Sequence, residues 1–228
     1  MRTAQVRGWV LGALALLAVS SAAAQVSGKL VLGAYKPATP EKPGPSCYWE
    51  LENGVKEVRA DRVDASRELA VVITGEGDAV AGLDRVEVPF SGGSLLPSTI
   101  VVRMGATVLF RNDDEFAHEL YGEGVEGLVA EATSPRGRRS FIATAAGSWP
   151  LRDKVIAHLE GQLIVLQDLL AIAAPAADGS FTFPTLKPGK YVLKVFHGAK
   201  ELASQPIEVG DRALTLDPIA LTASTDAK

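Results

Sequence analysis

The chain has 228 residues, 22% of them charged, a formal net charge of −4 and a single cysteine. An acidic balance of this kind gives no electrostatic footprint for a nucleic-acid partner, and one cysteine leaves neither an intramolecular disulfide nor a thiol-rich metal site. The length allows two small domains or one elaborated sandwich.

Arg2 and Arg7 precede an apolar run from Val10 to Val19, and Ala22-Ala23-Ala24 follows it. That order reads as a secretory signal peptide over residues 1–24, and the run is too short to span a bilayer. Cleavage removes Arg2 and Arg7 and no acid, so the net charge moves from −4 to −6. The mature protein is expected to begin at Gln25 and to be periplasmic or secreted, without a spanning segment and without a lipid-bearing cysteine at its start.

Val26 to Tyr35 reads as a first strand, and Pro37, Pro40, Pro43 and Pro45 then break any regular element. Cys47 follows, with three readings: a partly buried thiol, an intermolecular disulfide, or a metal ligand recruited from a distant segment. Leu69-Ala70-Val71-Val72-Ile73 has the continuous apolar pattern of a buried strand and ends at Gly75. Val86 to Phe90 alternates, and Ser91-Gly92-Gly93-Ser94 is a turn. Two β-branched runs flank Met104-Gly105, a strand, a tight turn and a strand; the second stops at Asn112-Asp113-Asp114. His118 comes directly after, on a loop held by rigid strands, a good position for a metal ligand. Gly127 to Ala130 is a weak strand and Ser140 to Thr144 a clearer one. From Lys154 to Leu166 the spacing fits helix or strand, with Gly161 interrupting the run; loop followed by strand is preferred. The basic cluster Arg136-Gly137-Arg138-Arg139 reads as a solvated turn.

The order of strand, Gly turn, strand, Asn-Asp-Asp and His118, then Ala146 to Leu151, His158, Gly161 and a closing apolar strand, resembles the cupredoxins, small copper-binding β-sandwiches. The resemblance covers residues 86–167. It implies a Greek-key sandwich with copper as cofactor, and it carries two metal ligands over, His118 and His158. It also implies a redox or copper-handling protein partner. The chain departs from the family pattern: three residues before His158, where the family has its thiolate cysteine, stands Val155, and no Met lies near His158. A blue-copper centre needs that thiolate. Two imidazoles converging at a sandwich end still make an open Cu(II) or Zn(II) site, which Asp114, Glu115, Glu119, Asp153 or Glu160 would complete. The competing reading is that both histidines are hydrogen-bonded loop residues in a fold without metal.

Asp178-Gly179-Ser180-Phe181, then Pro188-Gly189-Lys190-Tyr191 and an alternating strand, resembles the carboxypeptidase-regulatory or transthyretin-like β-module. Tyr191, Leu193 and Val195 fall on one face, and two short strands follow over 204–209 and 214–221. About fifty residues are too few for a complete sandwich, so the tail is expected to recruit the N-terminal segment or to share an edge with the sandwich. The tandem resembles exported proteins of the methylamine-utilisation type. His197 ends a tail strand; it reads as an ordinary hydrogen-bonded histidine, with a third-ligand role as the competing reading. No nucleophile elbow, phosphate loop or paired-carboxylate motif supports an enzyme.

The expectation is an all-β protein: signal peptide 1–24, N-terminal strands and Pro-rich loop 25–85, cupredoxin-like sandwich 86–167 and transthyretin-like tail 168–228. Its expected role is binding of copper through His118 and His158 for storage or delivery, since electron transfer lacks its thiolate. The alternative is a metal-free module that contacts a surface glycan or a protein.

Overall fold

The computed structural model describes residues 24–33 and 63–221. The expected signal peptide up to residue 23, the proline-rich stretch and Cys47 lie outside these residues.

Leu69 to Thr74 (β2) is buried at all six positions. A strand with no wet face belongs to a sheet covered on both sides. The side chains divide with the strand's two-residue period. Leu69, Val71 and Ile73 enter one apolar core, while Ala70 and Val72 enter another. Four sheets stacked in layers account for this.

The outermost sheet is β12 (Ser180–Leu186), β1 (Ala24–Val31) and β15 (Leu214–Thr215), with β16 (Ile219–Ala220) also on β1. The second runs β11 (Leu169–Ala173), β2, β13 (Gly189–His197) and β14 (Lys200–Val209). These two enclose a core that includes Val26, Leu30, Phe181 and Phe183 on one side and Val71, Ile73, Leu193 and Val195 on the other. The third sheet runs β5 (Thr99–Arg103), β10 (Glu160–Leu166), β9 (Gly147–Asp153) and β7 (Leu120–Gly122). The fourth runs β4 (Ser94–Leu95), β3 (Arg85–Ser91), β6 (Thr107–Asn112) and β8 (Arg138–Ile142). Between them lie Ile100, Val102, Leu163 and Val165 against Val88, Phe90, Val108 and Phe110.

The protein is therefore all-β. Its only helix among the described residues is one turn, α1 (Ala65–Glu68). Asp64 caps it by accepting from the Ser66 amide, and Glu68 reaches back to the Asp64 amide, the reciprocal arrangement of a capping box.

The N-terminal strands belong to the tail's sandwich. β1 pairs antiparallel with β12, and β2 lies between β11 and β13. The two sandwiches meet back to back: Ala70, Val72, Leu169 and Phe196 pack on Val101 and Ile164. Polar bonds border this contact. Ser98 N donates to Arg67 O at 2.8 Å, and Thr99 Oγ1 donates to Glu68 O while accepting from Gly198 N.

The strand, tight turn and strand expected around Met104-Gly105 are present as β5 and β6, which lie in separate sheets: β5 runs beside β10 and β6 between β3 and β8. The turn, with Gly105 at φ 88°, carries the chain across the core from one sheet to the other. Gly127 to Ala130 is irregular rather than a strand. Leu128 alone plugs into the core there, and a single inward side chain does not need a ladder.

Candidate functional site

The pole of the sandwich at the end of β6 is built from asparagine and aspartate chemistry. Asn112 is fully buried. Its Oδ1 accepts from Asp114 N at 2.9 Å, and its Nδ2 donates to the carbonyls of Phe116, Thr133 and Ser134. These are the local bonds through which Asx residues stop a strand and shape a loop. The loop then brings His118 into a two-way backbone bridge with Thr133.

His118 is 0% exposed. Phe90 meets its ring edge-on with centroids 5.0 Å apart, and Phe116 lies over it at 4.8 Å. Both ring nitrogens face carboxylates. Nε2 lies 3.0 Å from Asp114 Oδ2, and Nδ1 lies 3.2 Å from Asp153 Oδ2. Each carboxylate is held further. Asp114 accepts from Gly92 N at 2.6 Å and Gly93 N at 3.0 Å. Asp153 Oδ1 accepts from Val155 N at 2.7 Å and Ile156 N at 2.8 Å. One buried triad thus ties together the β3–β4 turn, the loop after β6 and the loop after β9.

The triad bears directly on whether these residues suit a copper ion. A metal needs a ring nitrogen with a free lone pair. In this arrangement each nitrogen of His118 points at an oxygen, and the two bonds form together when the ring carries both protons. The side chain that reaches His118 from the end of β9 is Asp153. Val155, the position matched to the family's cysteine, is 50% exposed. His158 is exposed, and its Nε2 sits where a Cβ built on Gly93 would be 3.2 Å away. No hydrogen bond or ring contact among the described residues joins it to His118. The other flanking acids point elsewhere: Glu115 pairs with Arg136, Glu160 pairs with Arg152, and Glu119 is half-buried. His197 meets Glu68 at 3.1 Å at the junction of the two sandwiches. Among the described residues no group of three or more His, Cys, Asp or Glu stands in a metal-holding arrangement.

Burial pushes the Asp114 carboxyl up, but the Gly93 and Gly92 amides and His118 outweigh it and hold the group below the usual aspartate value. The Glu68 carboxyl is held low by the His197 bond, against burial, with help from the Asp64 amide. A carboxylate whose folded value is depressed stabilises the fold above its unfolded value, and that contribution is lost as pH falls through the folded one. Stability should therefore decline as pH drops past the ordinary values of 4.5 for Glu68 and 3.8 for Asp114 and continue to fall below them. Urea midpoints measured from pH 7 to pH 3 check this. The decline should be shallower in Asp114→Asn, and an identical decline in that variant would contradict the assignment.

No protein-family model matches the chain, and no curated protein matches it. Among solved structures, the chain is similar to a copper-containing nitrite reductase (NirK) from Thermus scotoductus SA-01, at 22% identity over 36% of this chain and 22% of that one, with TM-score 0.34. It is similar to amicyanin from Paracoccus versutus at 20% identity over 42% of this chain and 97% of that one, again with TM-score 0.34. The chain spans about a fifth of the nitrite reductase. At this score the likenesses carry no weight at the site. Among the described residues no helix is long and apolar enough to cross a membrane.

Proposed function

We propose that this chain is an exported, non-catalytic binding protein whose 86–167 unit is a cupredoxin-type sandwich with its metal pole closed by a carboxylate–imidazole–carboxylate triad. The observation that carries this reading is the engagement of both His118 ring nitrogens, at 3.0 Å and 3.2 Å, inside a pole with no exposure at the imidazole. The protein then works as a metal-free module that contacts its partner through the loops around the pole and the junction with the tail. The signal-peptide pattern of residues 1–24 supports export. The absence of nucleophile and paired-carboxylate motifs in the sequence supports a role other than catalysis.

Copper storage or delivery is the competing reading, resting on the order of His118 and His158 in a cupredoxin-like stretch. Isothermal titration with Cu(II) separates the two, using the parent, His118→Ala, His158→Ala and the double variant. The metal-free reading expects no tight site that depends on both histidines, and at most weak surface binding lost with His158 alone. Stoichiometric binding abolished by either single replacement would establish the copper reading instead.

A further inference from the structure

Where the two sandwiches meet, α1 on one side and β4 with the start of β10 on the other enclose a cleft of about 360 Å³. That size is in the range that holds small ligands, and domain junctions are frequent places for them. Its chemistry follows from which lining groups already have partners. Glu68 takes the Asp64 amide and His197. Glu160 is paired with Arg152. Asp64 uses Oδ1 for Ser66 N and Ser66 Oγ. Arg67 and His158, both exposed into the same cleft, make no side-chain hydrogen bond or ion pair with a described residue. Two unengaged nitrogen donors therefore face a space whose Glu68 and Glu160 are already matched by cationic or hydrogen-bonding partners.

The walls are fixed before any ligand arrives. The Gly92-Gly93 turn is clamped by Asp114, and the loop that carries His158 is pinned by Asp153 and by Leu159 N donating to Ile156 O at 3.0 Å. Arg67 leaves from a capped turn whose carbonyl is bonded to Ser98 N.

We propose that this cleft binds a small organic acid through its carboxylate, with the Arg67 guanidinium forking onto the two oxygens and His158 completing the contact. Asp64 Oδ2, which makes no hydrogen bond, accepts from a hydroxyl or amino group next to that carboxylate. The ligand class is thus a hydroxy acid or an amino acid, and a dicarboxylate is disfavoured by Asp64. This deepens the binding-module reading and rests on it.

The test titrates the full mature chain with sodium lactate, free L-alanine and sodium propionate at constant ionic strength, following backbone amides by NMR. Lactate or alanine should give saturable shifts at Gly93, Ser94 and Ser98. Arg67→Ala and His158→Ala should each weaken the binding at least tenfold, and Arg138→Ala, an exposed arginine elsewhere, should not. Propionate, which lacks the donor, should bind more weakly than lactate. No saturable shift with any of the three, or binding indifferent to Arg67→Ala, overturns the cleft assignment. Propionate binding as tightly as lactate overturns the role of Asp64. The copper titration decides the metal-free reading separately, so the failure of one is distinguishable from the failure of the other.

Discussion

Replacing His118 with alanine should cost about 3–5 kcal/mol of stability, the loss typical of emptying a ring-sized buried site, with two buried carboxylates left without the nitrogens they meet. The imidazole is 0% exposed and lies between two carboxylates that are 9% and 5% exposed. Without it, Asp114 and Asp153 face a cavity the size of the ring, and neither can move to water without giving up the turn it clamps. For a chain of this size the loss corresponds to a fall in Tm of about 10 °C. The consequences should not add. Asp153→Asn in the His118→Ala background should cost much less than in the parent, because the contact it breaks is already gone. Urea denaturation of the parent, both singles and the double checks this. A loss below about 1 kcal/mol for His118→Ala, as at an ordinary surface position, would show that the triad does not hold the pole together.

Removing residues 168–228 should have a still larger effect. β2 would lose both its neighbours, β11 and β13, and β1 would lose β12, β15 and β16. The same cut would expose Val101 and Ile164, each 4% exposed in the whole protein, on the back of the β5–β10 pair. An apolar sheet face of this kind, with unpaired strands beside it, invites association. The truncated protein is expected in the insoluble fraction, or as a species without a cooperative thermal transition, while the full chain unfolds in one transition. A soluble truncated protein with the parent's Tm would mean that the tail is an ornament rather than half of the core.

The layered architecture was partly legible in the sequence. The run Leu69 to Ile73 announced a strand with two dry faces, and the tail's shortage of residues announced that it had to borrow strands. The N-terminal segment was one of two candidates for that loan, but the register is a matter of long-range pairing, and no local pattern encodes that Val26 lies opposite Phe183 or that β2 sits between β11 and β13. The strands and turn from Ile100 to Phe110 are legible, but not the sheets they join, since a glycine turn serves equally to return along one sheet or to cross to its mate.

At the pole, His118 is legible as a residue in a privileged position, but family spacing and strand parity point to different neighbours for it. Leu151 points into the core, and two residues on, with the strand's period of two, so does Asp153. An acid at an inward position asks for a buried partner. Asp114 stands four residues before His118 and at the end of an Asx-rich stop. These two signals pointed to the carboxylates. The spacing counted back from His158 pointed to Val155, which the structure leaves on the surface. The clamp on Gly92 and Gly93 could not be read locally, because it joins segments 21 and 22 residues apart.

The closure of the pole is tested most directly by the ring nitrogens of His118 themselves. In a long-range ¹H–¹⁵N spectrum, both His118 nitrogen signals should stay in place when one equivalent of Zn(II) is added to the protein, with the ring N–H protected from exchange. Movement of a His118 nitrogen to a metal-bound position at one equivalent, together with loss of its proton, would contradict the account and restore the pole as a metal centre.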